Sequence, residues 1–331
     1  MPRIPDHILD STFYLYPDVD SARAGKSMGG TGFLVAYLMH HRISHDPHVY
    51  AVTNWHVAVK NGNSVVRINR HDGTPAIFEF DPSDWQFIPE GDDVAALRIQ
   101  LDPNEHKFSA NHITDFASKD HLQMEIVGTG DDVFMVGRFV DHDGGETNKP
   151  AARFGNISML PAPIKKDDIG RQRDYYCVDM HSRTGFSGSP VFTYRPIGGD
   201  LNGDDLRKMY EKIKSNTQRG LNTPFWDFRP YLGLLGIHCG QFPEELELKK
   251  KSRRRDARTR EWVIGMSGMT LVAPAWAIHE VIEYPALQKE RTAIDAANPN
   301  ADRPRPAFEY QPREVTETLV PEAKPTSQDG S

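Results

Sequence analysis

Near the middle of the chain, Thr184-Gly185-Phe186-Ser187-Gly188-Ser189-Pro190-Val191-Phe192 sets a serine between glycines and runs straight into an apolar stretch. A Gly/Ser cluster is a turn signal and the residues after Pro190 read as a strand, so the segment predicts a tight loop feeding a β-strand. A lone Gly-x-Ser-x-Gly would suggest the nucleophile elbow of a hydrolase sheet, but Ser189 stands where the second glycine belongs. In a loop of this kind the backbone N–H groups of Gly185 and Ser187 are free to converge on one point. Donors aimed that way hold an oxyanion, and losing one typically costs roughly a hundred- to thousandfold in turnover. The same residues also make a plain turn before a strand. What else the chain supplies decides between the two.

A serine nucleophile needs a base and a group that orients the base. Val52-Thr53-Asn54-Trp55-His56-Val57 places a histidine at the end of a β-rich run, and Asp92-Asp93-Val94-Ala95-Ala96-Leu97-Arg98-Ile99 places carboxylates at the head of an apolar strand. Asp92 is the rival to Asp93; strand phase favours the residue directly before Val94. The order His56, Asp93, Ser187 differs from those of subtilisins and α/β-hydrolases.

On Thr53-Asn54-Trp55-His56, Asp93-Val94-Ala95-Ala96-Leu97, Gly185-Phe186-Ser187-Gly188-Ser189-Pro190 and Leu235-Gly236-Ile237-His238-Cys239-Gly240, the chain resembles the trypsin-like (chymotrypsin-fold) serine peptidases over roughly residues 25–285. The resemblance implies an all-β fold of two six-stranded antiparallel β-barrels closed by a C-terminal helix. It implies catalytic His56, Asp93 and Ser187, oxyanion donors Gly185 and Ser187, and a substrate pocket of His181, Ser182, His238 and Gly240. Gly236-Ile237-His238 with Ser182 is similar to the pocket strand of glutamyl endopeptidases, which reads a substrate carboxylate. A satisfied core histidine at 238, with a pocket for small apolar side chains, is the open alternative. Three departures from the digestive branch stand out. Phe186 replaces the Asp that pairs with a freshly cut N-terminus, Val57 replaces a disulfide cysteine, and Cys239 replaces a serine near the catalytic Asp.

Taken in order, residues 1–24 read as an N-terminal arm whose Phe13-Tyr14-Leu15-Tyr16 packs on the first lobe, and residues 25–110 as the first barrel. The Gly-rich lead Met28-Gly29-Gly30-Thr31-Gly32 lacks the Gly-Lys-Ser/Thr ending and following helix of a phosphate cradle. A polar crossover and the second barrel occupy 111–285, opened by Met124–Gly128 and Asp132–Arg138. Two insertions interrupt that barrel. Residues 195–229 contain a helical stretch at 204–213, and residues 241–260 form a loop dense in Lys and Arg from Lys249 to Arg260. That loop reads as a solvated excursion or as a site for acidic partners. Ala275–Ile282 carries an apolar stripe at helical spacing, and residues 290–331 are Pro-rich, polar and expected to be disordered.

A net charge of -7 offers no general field for nucleic acid. Cys177 and Cys239 are too few for a secreted disulfide framework and read as buried free thiols. No signal peptide or membrane span is readable, so a cytoplasmic, bacterial protein is expected. His40, His41, His45 and His48 lack zinc-type spacing, and neither metal nor cofactor is expected. The expected activity is a serine endopeptidase acting on protein or peptide substrates. A catalytically idle, protease-like binding module and an esterase using the same site stay open.

Overall fold

The computed structural model describes residues 3–27, 29–37, 47–138, 145, 147–166, 171–180, 185–195, 211, 214, 215, 231–248 and 261–297. Short strands separated by turns fill both halves of the chain, as the alternating apolar pattern requires. In the first half β1 (Thr12–Tyr16), β2 (Gly30–Tyr37), β3 (His48–Thr53), β4 (Val65–Asn69), β5 (Pro75–Phe78) and β6 (Ala95–Arg98) form one sheet in the order β5-β4-β1-β2-β3-β6. A two-residue strand β7 (Asn111–His112) runs parallel to β2. Among the described residues no β5–β6 ladder closes the sheet; on the β6 edge Gln86 is joined to Ala96 by paired backbone hydrogen bonds of 2.8 and 2.9 Å.

In the second half β8 (Asp132–Gly137), β9 (Ala151–Lys166), β10 (Arg171–Asp179), β11 (Pro190–Arg195), β12 (Tyr231–Leu248) and β13 (Glu261–Pro274) close into a barrel in the order β10-β13-β12-β11-β8-β9. The fold is therefore an all-β pair of lobes of the trypsin-like kind, as expected. Short helices α1 (Asp6–Leu9), α2 (Val19–Ala24) and α3 (Lys119–Gln123) decorate it, and α4 (Ala275–Ile282) and α5 (Pro285–Ala297) end it.

Three of the four buried apolar clusters explain the two-lobe layout. Phe13, Leu15, Leu34, Val57, Trp85 and Leu97 fill the first lobe, while Met135, Tyr176, Phe186, Val191 and Leu235 fill the second. The third joins Phe33, Val35, Tyr50 and Val94 of the first lobe to Phe134, Tyr175 and Cys177 of the second, under Ile278, Val281 and Ile282 of α4. Each fully buried side chain of this size contributes about 1.5–3 kcal/mol. The lobes are thus cemented to each other as well as packed within themselves.

Several expectations need correction. The N-terminal arm is part of the first sheet. β1 lies between β2 and β4 and is buried at every position, because Phe13 and Leu15 face the lobe interior while Tyr14 and Tyr16 pack with Val65 and Ala22. Met124–Gly128 forms no strand and follows the end of α3, so Asp132 opens the second lobe. The strand expected to stop at Gly240 runs to Leu248, paired with Glu261–Met266 of β13; the polar-apolar alternation Glu244-Glu245-Leu246-Glu247-Leu248 is hidden beside the charge run that follows. Residues 290–297 belong to α5, where Arg291 and Asp295 are buried. Glu211, Lys214 and Ser215 of the first insertion are helical; the rest of 204–213 and the basic segment 249–260 lie outside the described residues. Both cysteines are buried thiols outside any disulfide.

Candidate active site

Strand β3 ends at Thr53, and the turn after it is held by the Asn54 carbonyl, which accepts the N–H groups of Val57 and Ala58 at 3.1 and 3.2 Å. That turn presents the His56 ring. The Asn54 side chain reaches across to the Asp93 backbone, its Nδ2 donating to the Asp93 carbonyl at 2.8 Å. Asp93 is fully buried at the head of β6. Its Oδ1 accepts the His56 backbone N–H at 2.9 Å, and its Oδ2 accepts from His56 Nδ1 at 2.6 Å. With Nδ1 committed as a donor, Nε2 is the nitrogen left to accept a proton. The imidazole keeps 18% exposure beside a carboxylate with none. A buried charge is tolerable only when hydrogen-bonded, and Asp93 is bonded from two directions.

Asp92, the rival carboxylate, does not bond His56. Burial pushes its pKa up to about 6, against a weaker pull downward from Arg173. Tyr175 feels both aspartates and Cys239, and burial raises its phenol well above the usual range. The Cys239 thiol donates to the Ile237 carbonyl at 3.2 Å.

The loop at 185–190 is buried except at Ser187. Ser189, the other serine of the motif, is fully buried. Phe186 sits in the second-lobe core with the Arg153 guanidinium 5.8 Å from its ring centroid, so it anchors the loop. Gly185 and Gly188 adopt φ of 97° and 84°, a region that side chains with a Cβ rarely enter. At Gly188 a Cβ would lie 2.0 Å from the Thr31 carbonyl oxygen, so only glycine lets the loop dock on β2. Docking is fixed further by Thr31 N–H donating to the Ser187 carbonyl at 2.9 Å. Behind the loop, Gly188 N–H donates to the His238 carbonyl at 3.1 Å and His238 N–H to the Ser189 carbonyl at 2.9 Å.

The structure thus joins His56 to Asp93 directly and sets the Ser187 loop against the strand that leads into the first lobe. Among the described residues the Ser187 hydroxyl is not hydrogen-bonded to the His56 ring, and the N–H groups of Gly185 and Ser187 have no acceptor. Bonds of this type commonly tighten only when substrate binds. His238 is buried behind the loop, and Gly240 follows it on β12. His181 and Ser182 lie outside the described residues. No group of three potential metal ligands occurs among the described residues, and His48 instead donates from Nε2 to Asp295 at 2.9 Å. Sequence reasoning gave Asn54 and Thr31 no role of their own, although Asn54 stands within the Thr53–His56 motif and Thr31 within the Gly-rich lead.

Residues 30–196, just over half the chain, match the family profile of the trypsin-like peptidase domain. No curated protein resembles the chain closely enough to count as a match. Among solved structures, the MamO protease domain from Magnetospirillum magneticum (apo form) is 15% identical, covering 83% of this chain and 96% of its own, with a TM-score of 0.42. The HtrA-type protease AlgW with decapeptide is 17% identical over 78% of this chain and 53% of its own, TM-score 0.40. The Rv3671c protease in an inactive form is 17% identical over 83% and 88%, TM-score 0.38.

Proposed function

The chain belongs to the trypsin-like peptidase family, and from that premise we propose that it is a serine endopeptidase working through an acyl-enzyme. The observation that carries this reading is the buried Asp93 carboxylate bonded to both the backbone N–H and the Nδ1 of His56. Ser187 Oγ attacks the scissile carbonyl carbon while His56 Nε2 takes its proton. The oxyanion is held by the N–H groups of Gly185 and Ser187. As the C–N bond breaks, the His56 proton passes to the leaving amine. Water then attacks the ester through the same base, releasing the acid and restoring Ser187. Asp93 stabilises the imidazolium that forms in each half-reaction.

The pocket residues His181, Ser182, His238 and Gly240 favour an acidic side chain before the scissile bond. His238 supports this reading by its place on the strand bonded to the back of the Ser187 loop. The basic segment 249–260, joining β12 to β13, would then draw acidic substrates by long-range attraction that salt screens. One experiment reads all three claims: a peptide library assayed at pH 6 and 8, at low and high ionic strength, with the wild type and with Ser187→Ala. The expected outcome is cleavage after Glu or Asp, stronger at low salt, and a loss of roughly four to six orders of magnitude in Ser187→Ala. Cleavage by Ser187→Ala at the wild-type rate overturns the mechanism. A library profile without Glu or Asp preference at either pH overturns the pocket reading, and salt-independent kinetics overturn the role of the basic segment.

A further inference from the structure

Resting on the peptidase reading of Ser187, we propose that Thr31 is a positioning residue that holds both oxyanion donors in place from the opposite lobe. Thr31 belongs to β2 of the first lobe and is wholly buried. Its hydroxyl donates to the Gly185 carbonyl at 2.7 Å and accepts the Arg138 N–H, just past the end of β8, at 2.9 Å. Its backbone N–H donates to the Ser187 carbonyl at 2.9 Å. Its own carbonyl accepts the Thr53 hydroxyl at 2.7 Å, which ties it to the end of β3 three residues before His56.

The pattern is specific in a way that simple packing is not. The two residues whose N–H groups must converge on the oxyanion are Gly185 and Ser187, and the carbonyls of those same two residues are both pinned by Thr31. Gly185 has no side chain and sits at a φ of 97°, so nothing local stops its flanking peptides from rotating. The Thr31 hydroxyl supplies that restraint, and the Arg138 N–H fixes the hydroxyl by occupying one of its lone pairs. Through Thr53 the same residue is registered to the turn that carries His56. Thr31 therefore couples the position of the base, on one lobe, to the position of the donors and the nucleophile, on the other.

Thr31→Val keeps shape and burial but removes the donor to Gly185, whereas Thr31→Ser keeps the donor. A misplacement of about 1 Å at a reacting centre costs on the order of a hundredfold. The expected result for Thr31→Val is a fall of about 10- to 100-fold in kcat, with KM and the pH profile of kcat/KM unchanged. Thr31→Ser is expected within about threefold of wild type, as its hydroxyl retains the hydrogen bond. Amide hydrogen exchange over residues 185–192 supplies a readout independent of turnover: faster in Thr31→Val, restored in Thr31→Ser. Equal kcat in Thr31→Val and wild type, or equal exchange over that segment, overturns the proposal. Should Thr31→Val not fold, Thr53→Val loosens the same tether from behind, and an unchanged kcat and exchange rate there is the overturning result. A wild-type protein with no activity at Ser187 defeats the peptidase reading instead, and the exchange comparison still decides the role of Thr31.

Discussion

Two adjacent aspartates head β6, and their surroundings send them in opposite directions. Asp93 is met by the His56 N–H, the His56 ring and, at its backbone, the Asn54 amide. Asp92 has an Oδ1 that is buried without a hydrogen-bond partner, and burial lifts its pKa to about 6 from 3.8. An acid raised in the folded state binds its proton more tightly there than in the unfolded chain. Its contribution to stability is therefore complete below about pH 4 and is lost as pH rises through about 6. The shift corresponds to a loss on the order of 3 kcal/mol. Asp92→Asn should unfold at higher urea than wild type at pH 8 by about that amount, with the advantage gone at pH 4. An advantage of the same size at both pH values would contradict this account. Asn54 and Thr31 were illegible in the sequence for a related reason: their value lies in partners 39 and 154 positions away, at Asp93 and Gly185, which no local pattern reveals.

At the level of elements, α5 shows how a helix escapes an apolar-periodicity reading. Leu287, Arg291 and Asp295 recur at four-residue intervals on its buried side, so two thirds of that stripe is polar. Arg291 donates to the Tyr50 hydroxyl at 2.9 Å, to the Ile282 carbonyl at 3.0 Å and to both Glu283 oxygens at 3.2 Å, with its guanidinium 4.0 Å from the Tyr37 ring centroid. Asp295 receives the bond from His48. A mostly polar stripe bonded in this way docks the helix on β2 and β3, with Leu287 as its buried apolar contact. Arg291→Ala strips the buried Tyr50 hydroxyl and Ile282 carbonyl of their donor and removes the partly exposed pair with Glu283, and should cost about 1–3 kcal/mol. Urea unfolding would report it, and a change below about 1 kcal/mol would show that α5 is held by other means. The strands were easier to read than this helix. β2, β3, β6 and β11 alternate or run apolar between turn residues, whereas β1 was misread because a strand buried on both faces and lying far from its motifs looks like an appendage. The extension of β12 was missed because its Glu-rich alternation borders a run of Lys and Arg.

Across the whole molecule, the proposed site lies where the lobes meet. His56 and Asp93 come from the first lobe, Ser187 and its flanking glycines from the second, and the shared apolar cluster beneath α4 keeps the lobes in fixed relation. The loop meets the first lobe with glycine at 188, where Thr31 leaves no room for a Cβ. The order of the motifs was legible because chemistry demands those residue types; the inter-lobe tethers were not, because hydroxyls and backbone carbonyls carry no signature of their own. The central claim is that Ser187 is a nucleophile activated by His56, and the most direct measurement is the rate and site of labelling by a fluorophosphonate, mapped by mass spectrometry. Wild-type protein should label at Ser187, and His56→Ala should label at least about a thousandfold more slowly while remaining folded. Labelling at a different residue, no labelling of the wild type, or an unchanged rate in His56→Ala would contradict the account.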